Sequence, residues 1–288
     1  MLRGWAASAG RGAGVKARSL VFDLFGDYLR YRDGAVRLRA LVALMGAFDV
    51  PEPTVRVVVT RMRNEGWLDS ERAGRETTYQ LTENAWRLLD EGRSRIFERA
   101  PGPWDGQWHM LMYSVPETDR ALREQLRKKL AWLGFGPLSA SVWVSPHDRT
   151  GAVRGEFGGN PGVIIDAFHA RSDGATADRD IAERCWDLTG LDRDYADLLT
   201  EYQPRLADYR AGRLRGRDAL VERMQLIHDY RMFPFRDPDL PPELLPAAWS
   251  GRVAHEVFRE AHSLLRSPAE AFVDELLGAA AGARVAGD

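Results

Sequence analysis

Val50-Pro51-Glu52-Pro53-Thr54-Val55-Arg56-Val57-Val58-Val59-Thr60-Arg61-Met62-Arg63-Asn64-Glu65-Gly66-Trp67-Leu68 is the stretch that decides how the first third of the chain folds. Val55, Val58, Val59 and Met62 recur at the spacing of one buried helix face. The two prolines before them make a stiff turn, and residues 54–64 read as a helix. Gly66 stops that helix and Trp67-Leu68 opens an extended segment. A turn at residues 73–76 reverses the chain, and residues 77–81 return as a second strand. A helix followed by a hairpin is the second half of a winged helix-turn-helix.

The opposite face of this helix carries Pro53, Val57, Thr60 and Asn64, with Arg56 and Arg63 on one flank and Arg61 on the other. No acidic residue occurs between Pro53 and Asn64. A solvated helix interleaves both signs of charge, whereas here small groups sit in the middle and arginines at the edges. The DNA major groove admits such a helix: base edges and thymine methyls meet its centre, and phosphates meet its margins. Arg72 and Arg75 tip the hairpin. A plain surface helix with three arginines is the simpler account, but the helix before it and the hairpin after it favour a DNA reader. The residues assigned to DNA are therefore Arg56, Val57, Thr60, Arg61, Arg63, Asn64, Arg72 and Arg75.

Composition bounds the remaining choices. With 288 residues and a net charge of −2, any basic surface is local, which excludes a histone-like coat of charge but not a sequence reader. One cysteine, Cys185, permits no internal disulfide and fits a reducing, cytoplasmic setting. The longest apolar stretch, residues 40–48, is too short to span a bilayer, so no membrane partner is expected. Arg3, Arg11, Lys16 and Arg18 precede the first acid, Asp23, among glycines and alanines; residues 1–17 read as a flexible tail, with a minor-groove arm as the remote alternative. Gly10, Gly12 and Gly14 follow no strand and do not make a dinucleotide loop.

Taken in order, residues 19–28 and 36–45 read as helices leading to the recognition helix, and residues 83–97 as a helix capped by Thr82. A break at Ala100-Pro101-Gly102-Pro103 closes a domain at 18–100. Residues 107–115 form a strand, then a helix capped by Thr118 or Asp119 runs to Leu133. Short strands follow at 135–138 and 141–145, then a glycine-rich stretch, 146–161, with no assignable helix, then a strand at 163–168. The order β-α-β-β-(α)-β makes residues 104–172 a ferredoxin-like domain, the expected site of dimerisation. Residues 177–277 read as all helical, apart from the proline-rich loop 233–242, and residues 278–288 as a frayed end. The fold class is α+β: winged helix-turn-helix, ferredoxin-like middle, helical C-terminal domain.

Several blocks resemble one family in order. They are Val55-Arg56 through Arg61-Met62, Gly66-Trp67-Leu68, Trp104-Asp105-Gly106-Gln107-Trp108, Trp132-Leu133-Gly134-Phe135-Gly136, and Leu138 with Trp143-Val144-Ser145-Pro146. Further blocks are His228-Asp229-Tyr230-Arg231-Met232-Phe233-Pro234-Phe235, Asp237-Pro238-Asp239-Leu240-Pro241 and Trp249-Ser250-Gly251. Over residues 19–277 the chain is similar to the PaaX-type repressors of phenylacetate catabolism. The resemblance implies a homodimeric repressor that binds a double-stranded DNA operator and releases it on binding an aryl-CoA thioester such as phenylacetyl-CoA. It also implies a middle domain similar to the CRISPR spacer-acquisition nuclease. Pro51 stands where family members often carry serine, which removes the hydroxyl cap of the recognition helix, and residues 150–160 are short for the second helix of the middle fold.

Such nucleases hold a metal on an aspartate at the end of the first strand, where this chain has Ser114, with Glu117 and Asp119 beyond. A serine is a poor magnesium ligand without carboxylate neighbours, so no enzyme and no catalytic residue are expected. His109, His147, His169, His228, His255 and His262 lack zinc-site spacing, so no metal and no cofactor are assigned. Cys185 beside Trp186 reads as core. An acyl-CoA effector needs an aromatic slot and cations for its phosphates; His228, Tyr230, Arg231, Phe233 and Arg236 offer both. The same aromatics could instead lock the C-terminal helices in place. The basic run from Arg120 to Lys129 reads as a solvated face. A nucleic-acid or protein-interaction module without an effector is the alternative function.

Overall fold

Leu20, Val21, Phe22, Leu24 and Phe25 give helix α1 (Ala17–Asp27) its apolar side in the computed structural model, which describes residues 16–74, 76–97 and 104–282, with side chains to 279. Asp23 and Asp27 share the buried side of α1, which its apolar pattern alone does not suggest. Residues 36–45, read as one helix, split in two. Strand β1 (Ala35–Arg37) comes first and helix α2 (Leu38–Gly46) follows. The strand forms because Val36 pairs across to Tyr79, a long-range partner that local periodicity cannot reveal.

Helix α3 (Glu52–Asn64) buries Val55, Val59 and Met62 against α1 and α2. Pro51 is its N-cap and offers no side-chain bond, while Glu52 places a negative charge in the first turn, where the helix dipole favours it. Gly66, at φ +75°, turns the chain out of the helix in a conformation other residues avoid. Strands β2 (Leu68–Ala73) and β3 (Glu76–Leu81) form the expected hairpin, and β1 pairs on the other side of β3. Helix α4 (Glu83–Phe97) starts at Thr82, whose hydroxyl accepts from the Ala85 N–H at 3.3 Å.

The second sheet has the order β5-β6-β4-β7, all antiparallel. It is built from β4 (Trp108–Ser114), α5 (Arg120–Trp132), β5 (Gly136–Pro137), β6 (Val142–Ser145), α6 (Thr150–Phe157) and β7 (Ile164–Ala170). Helix α6 lies in the glycine-rich stretch where no helix was assigned. Thr150 N–H to Asp148 Oδ1, at 3.1 Å, starts it, and buried Val153 and Phe157 hold it down. One face of the sheet (Leu111, Tyr113, Trp143) packs on Leu126 and Leu130 of α5 and on Val153 and Phe157 of α6.

The helical segment continues as α7 (Ala175–Cys185), α8 (Leu188–Tyr202), α9 (Leu206–Arg210), α10 (Gly216–Tyr230), α11 (Phe233–Arg236), α12 (Gly251–Leu264) and α13 (Arg266–Gly282). The proline-rich loop therefore contains a helical turn, α11, and α13 runs past Leu277 into the stretch read as frayed. The chain forms two compact units, residues 1–98, 198–232 and 253–288 in the first and residues 99–197 and 233–252 in the second. The architecture is α+β, with two antiparallel sheets. The N-terminal tail, Arg75, the proline–glycine break at 100–103 and residues 283–288 lie outside the described residues.

Candidate nucleic-acid interface

Packing of Val55, Val59 and Met62 leaves the far side of α3 to solvent. Val57 is 67% exposed, a high value for an aliphatic side chain in the middle of a helix. Arg56, Val57, Thr60, Arg61, Asn64 and Glu65 line one open groove of about 500 Å³. Thr60 donates its hydroxyl to the Arg56 carbonyl at 2.8 Å, which turns its methyl and remaining lone pairs outward. Arg63 is also exposed.

The two arginines at the margins are not bare. Arg56 donates Nε and Nη2 to Glu52 Oε1 at 2.8 and 2.6 Å, and Arg61 Nε donates to Glu65 Oε1 at 2.8 Å. Arg18 of α1 reaches the other Glu65 oxygen at 2.7 Å. The Arg61 hydrogen bond, with Arg18 beside it, holds the Glu65 carboxyl below the usual carboxylate range. Exposed pairs of this kind contribute about 0.3–0.5 kcal/mol each, so a phosphate can displace the carboxylate at small expense. Glu52 and Glu65 thus neutralise the arginines at the two ends of the exposed strip.

A second concavity of about 400 Å³ adjoins the start of α3, where Arg56 meets Arg72 of β2, Arg37 of β1 and Arg39 of α2. Both Arg37 and Arg39 lie 3.4 Å from Glu76. They were missed from sequence because the segment reads as helix; the alternation Val36-Arg37-Leu38 was the available signal. Arg75 falls outside the described residues.

The turn between α2 and α3 is held from the C-terminal part of the chain. Asp49 adopts φ +58°, and Arg217 of α10 donates to the Ala47 carbonyl at 2.7 Å and to Asp49 Oδ2 at 2.8 Å. Behind it α1 is fixed by a buried ionic network. Arg231 Nη1 donates to both Asp23 oxygens at 2.8 and 3.1 Å, and Arg223 Nη2 donates to Asp27 Oδ1 at 3.1 Å. His262 Nε2 lies 3.0 Å from the same oxygen. Burial pushes the Asp23 carboxyl up to about 6, more than Arg231 lowers it. For Asp27 burial acts the same way, but His262 and Arg223 outweigh it and the carboxyl stays below its ordinary value.

This network changes the reading of the effector residues. Arg231 is buried against Asp23 rather than open to a phosphate. Tyr230 is buried, stacks on Phe258 at 3.9 Å and makes a 2.8 Å hydrogen bond with His255 Nδ1. His228 Nδ1 lies 3.0 Å from Arg231 Nη2, and burial and that guanidinium keep its ring below the usual imidazole pKa. In the second unit Phe233 stacks on Tyr195 at 4.3 Å and Phe235 on Trp132 at 4.7 Å. Arg236 donates to Asp194 Oδ2 at 2.6 Å and stays half exposed. The set that is contiguous in sequence is therefore divided between two units.

Elsewhere Asp119 Oδ1 accepts from the Leu122 N–H at 3.0 Å as the cap of α5. Cys185 is buried, and burial pushes its thiol up to about 11, away from a nucleophilic thiolate. Among the described residues, one group has metal-ligating potential: His109, Asp148 and His169. No helix among the described residues is long and apolar enough to cross a membrane.

An exposed helix between arginines, a hairpin beside it and a second α/β sheet define a multidomain protein of nucleic-acid-binding type. The comparisons narrow this. Residues 16–85 match the PaaX-like protein family, residues 101–182 the PaaX protein central Cas2-like domain, and residues 186–275 the PaaX-like C-terminal domain. The chain belongs to the PaaX family. It is 34% identical over 267 residues to the transcriptional repressor PaaX of Escherichia coli (strain K12), covering 91% of this chain and 84% of that protein. Among solved structures it resembles the uncharacterized protein Rv0674 of Mycobacterium tuberculosis, with TM-score 0.62 and 25% identity over 91% of this chain and 98% of that one.

Proposed function

We propose that the chain is a cytoplasmic, homodimeric, sequence-specific DNA-binding repressor of an aromatic-acid operon of the phenylacetate type, released by an aryl-CoA thioester. The observation that carries it is the exposed strip of α3, where Val57, Thr60 and Asn64 stand between Arg56 and Arg61. In this reading α2, the Ala47–Val50 turn and α3 form the helix-turn-helix, and the β2–β3 hairpin is the wing. Val57 meets a thymine methyl, Thr60 and Asn64 read base edges, and Arg56, Arg61, Arg63, Arg72 and Arg75 bind phosphates. Arg37 and Arg39 join the phosphate set because they share the concavity of Arg56 and Arg72.

Dimerisation is assigned to the ferredoxin-like sheet. Its edge strand β7 exposes Ile164 (59%) and Phe168 (49%), and Met112 (41%) of β4 lies on the same face. Apolar side chains on an open edge invite pairing with a second copy. Two-fold symmetry then sets two half-sites one or more helical turns apart. The effector reading keeps Arg236 as the phosphate-facing cation and treats Tyr230 and Arg231 as residues that hold α10 against α1 and α12. Effector binding must favour a spacing of the two recognition helices that does not fit the operator.

Footprinting on the DNA beside the protein's own gene, with and without phenylacetyl-CoA, tests this. A palindromic footprint that the thioester erases is the expected result. Weak protection without sequence preference, unchanged by the thioester, would instead support an interaction module without an effector.

A further inference from the structure

The six histidines show no metal-site spacing along the sequence, yet strand pairing gathers two of them. In the four-stranded sheet β4 runs between β6 and β7, and His109 near its start stands opposite Ser145 of β6 and His169 of β7. Alternation along β4 puts His109 on the Leu111 and Tyr113 side, the face covered by α5 and α6. The chain leaves β6 at Ser145 and reaches Asp148 just before α6, which returns a carboxylate to the same end of the sheet. One ligand atom from each of His109, Asp148 and His169 lies within 4.8 Å of the others. The two rings meet edge to face at 4.8 Å and 73°, and His109 Nδ1 is 3.9 Å from Asp148 Oδ1, too far for a hydrogen bond.

His109 Nδ1 is the informative atom. It is shielded from solvent and has no hydrogen-bond partner, a condition native structures rarely leave uncompensated. Packing of two rings accounts for the edge-to-face contact but gives that nitrogen nothing; a cation bonded to it does. Asp148 is already oriented, since Thr150 donates its N–H at 3.1 Å and its hydroxyl at 2.7 Å to Oδ1. Outer hydrogen bonds of this kind fix carboxylates that ligate metals. His147 is engaged elsewhere, with Nε2 2.7 Å from the Asp239 carbonyl, which leaves three protein ligands.

We propose that His109, Asp148 and His169 together bind one divalent transition-metal ion of the zinc class. Two imidazole nitrogens and a carboxylate oxygen suit that class, whereas magnesium and calcium call for oxygen ligands. Ligand atoms about 2.1 Å from a tetrahedral ion lie roughly 3.4 Å apart, so shifts of about an ångström in the exposed Asp148 and His169 side chains close the triangle. Water takes the fourth position. The ion ties the end of edge strand β7 to β4 and to the start of α6.

Full-length protein stripped with chelator is titrated with zinc by calorimetry and with cobalt by visible absorption. The expected result is one zinc per chain, cobalt bands of a four-coordinate site and a raised Tm with metal. His169→Ala, an exposed change that leaves the fold intact, removes the cobalt bands and weakens zinc by more than Thr150→Val does. Thr150→Val keeps all three ligands but loosens Asp148, and weakens zinc about tenfold. Absence of zinc and cobalt binding in the wild type, or equal zinc affinity in wild type and His169→Ala, overturns the proposal.

Discussion

Two groups of arginines in this protein make ion pairs of nearly the same length with opposite consequences. On α3, Arg56 and Arg61 pair with Glu52 and Glu65 at 2.6 and 2.8 Å in open solvent. Behind α1, Arg223 and Arg231 pair with Asp27 and Asp23, both at 2.8 Å, with almost no exposure. Water screens the first set, so the bonds exchange readily for phosphates. The second set has left water, and each charge depends on its partner staying in place. Distance alone does not separate an exchangeable ion pair from a fixed one; the surroundings do.

The sharpest way to break this comparison is to remove one cation from each set. Arg223→Met, which leaves Asp27 buried with His262 alone, should destabilise the protein by about 3–5 kcal/mol. Arg61→Ala should change stability by no more than about 0.5 kcal/mol. Urea unfolding of both variants decides, and equal effects would end the distinction.

Next in size is a pH effect at Asp23. Because burial raises this carboxyl to about 6 in the folded state, the folded chain holds a proton that the unfolded chain has released between about pH 4 and 6. This group's contribution to stability therefore falls as pH rises through that window, by roughly 3 kcal/mol in all. Asp23→Asn should remove that slope, which unfolding curves at pH 4.5 and pH 7 will reveal. An unchanged slope would mean that Arg231 keeps the carboxylate ionised throughout.

DNA binding sharpens the exposed side of the comparison. Arg61→Ala should weaken binding to every sequence and reduce the slope of log affinity against log salt by about 1. Thr60→Ala or Asn64→Ala should shift sequence preference with little change in that slope. If Arg61→Ala relaxes a single base position instead, the roles of margin and centre are reversed. The smallest expected effect belongs to Glu65→Gln, which releases Arg61 and Arg18 and should tighten binding roughly twofold at low salt. Fluorescence anisotropy across a salt series measures all of these.

The parts of the molecule legible in sequence are those where neighbours along the chain decide the outcome. Val55, Val59 and Met62 announced α3, the turn at 73–76 announced the hairpin, and Thr82 announced α4. What escaped depends on distant partners. Strand β1 exists because Ala35 to Arg37 pair with Gln80 to Thr78, and α6 forms in a glycine-rich stretch because Val153 and Phe157 find the core of the second unit. Arg231 looked like a phosphate ligand among aromatics, and nothing nearby signalled that Asp23, 208 residues earlier, would take it. The pairing of His109 with His169 was hidden in the same way, by a register that spacing along the chain does not express.

The ionic lock on α1 also bears on how the protein is made. Asp27 is synthesised first and meets Arg223 only 196 residues later and His262 only 235 residues later. At elongation rates of about 5–20 residues per second its carboxylate waits roughly 10–50 seconds for its last partner. The ionic network behind α1 is therefore completed only after Arg223 and His262 have been made. A chain released before α12 lacks the imidazole that sits 3.0 Å from Asp27, so one side of α1 is completed only by the last part of the sequence to be made.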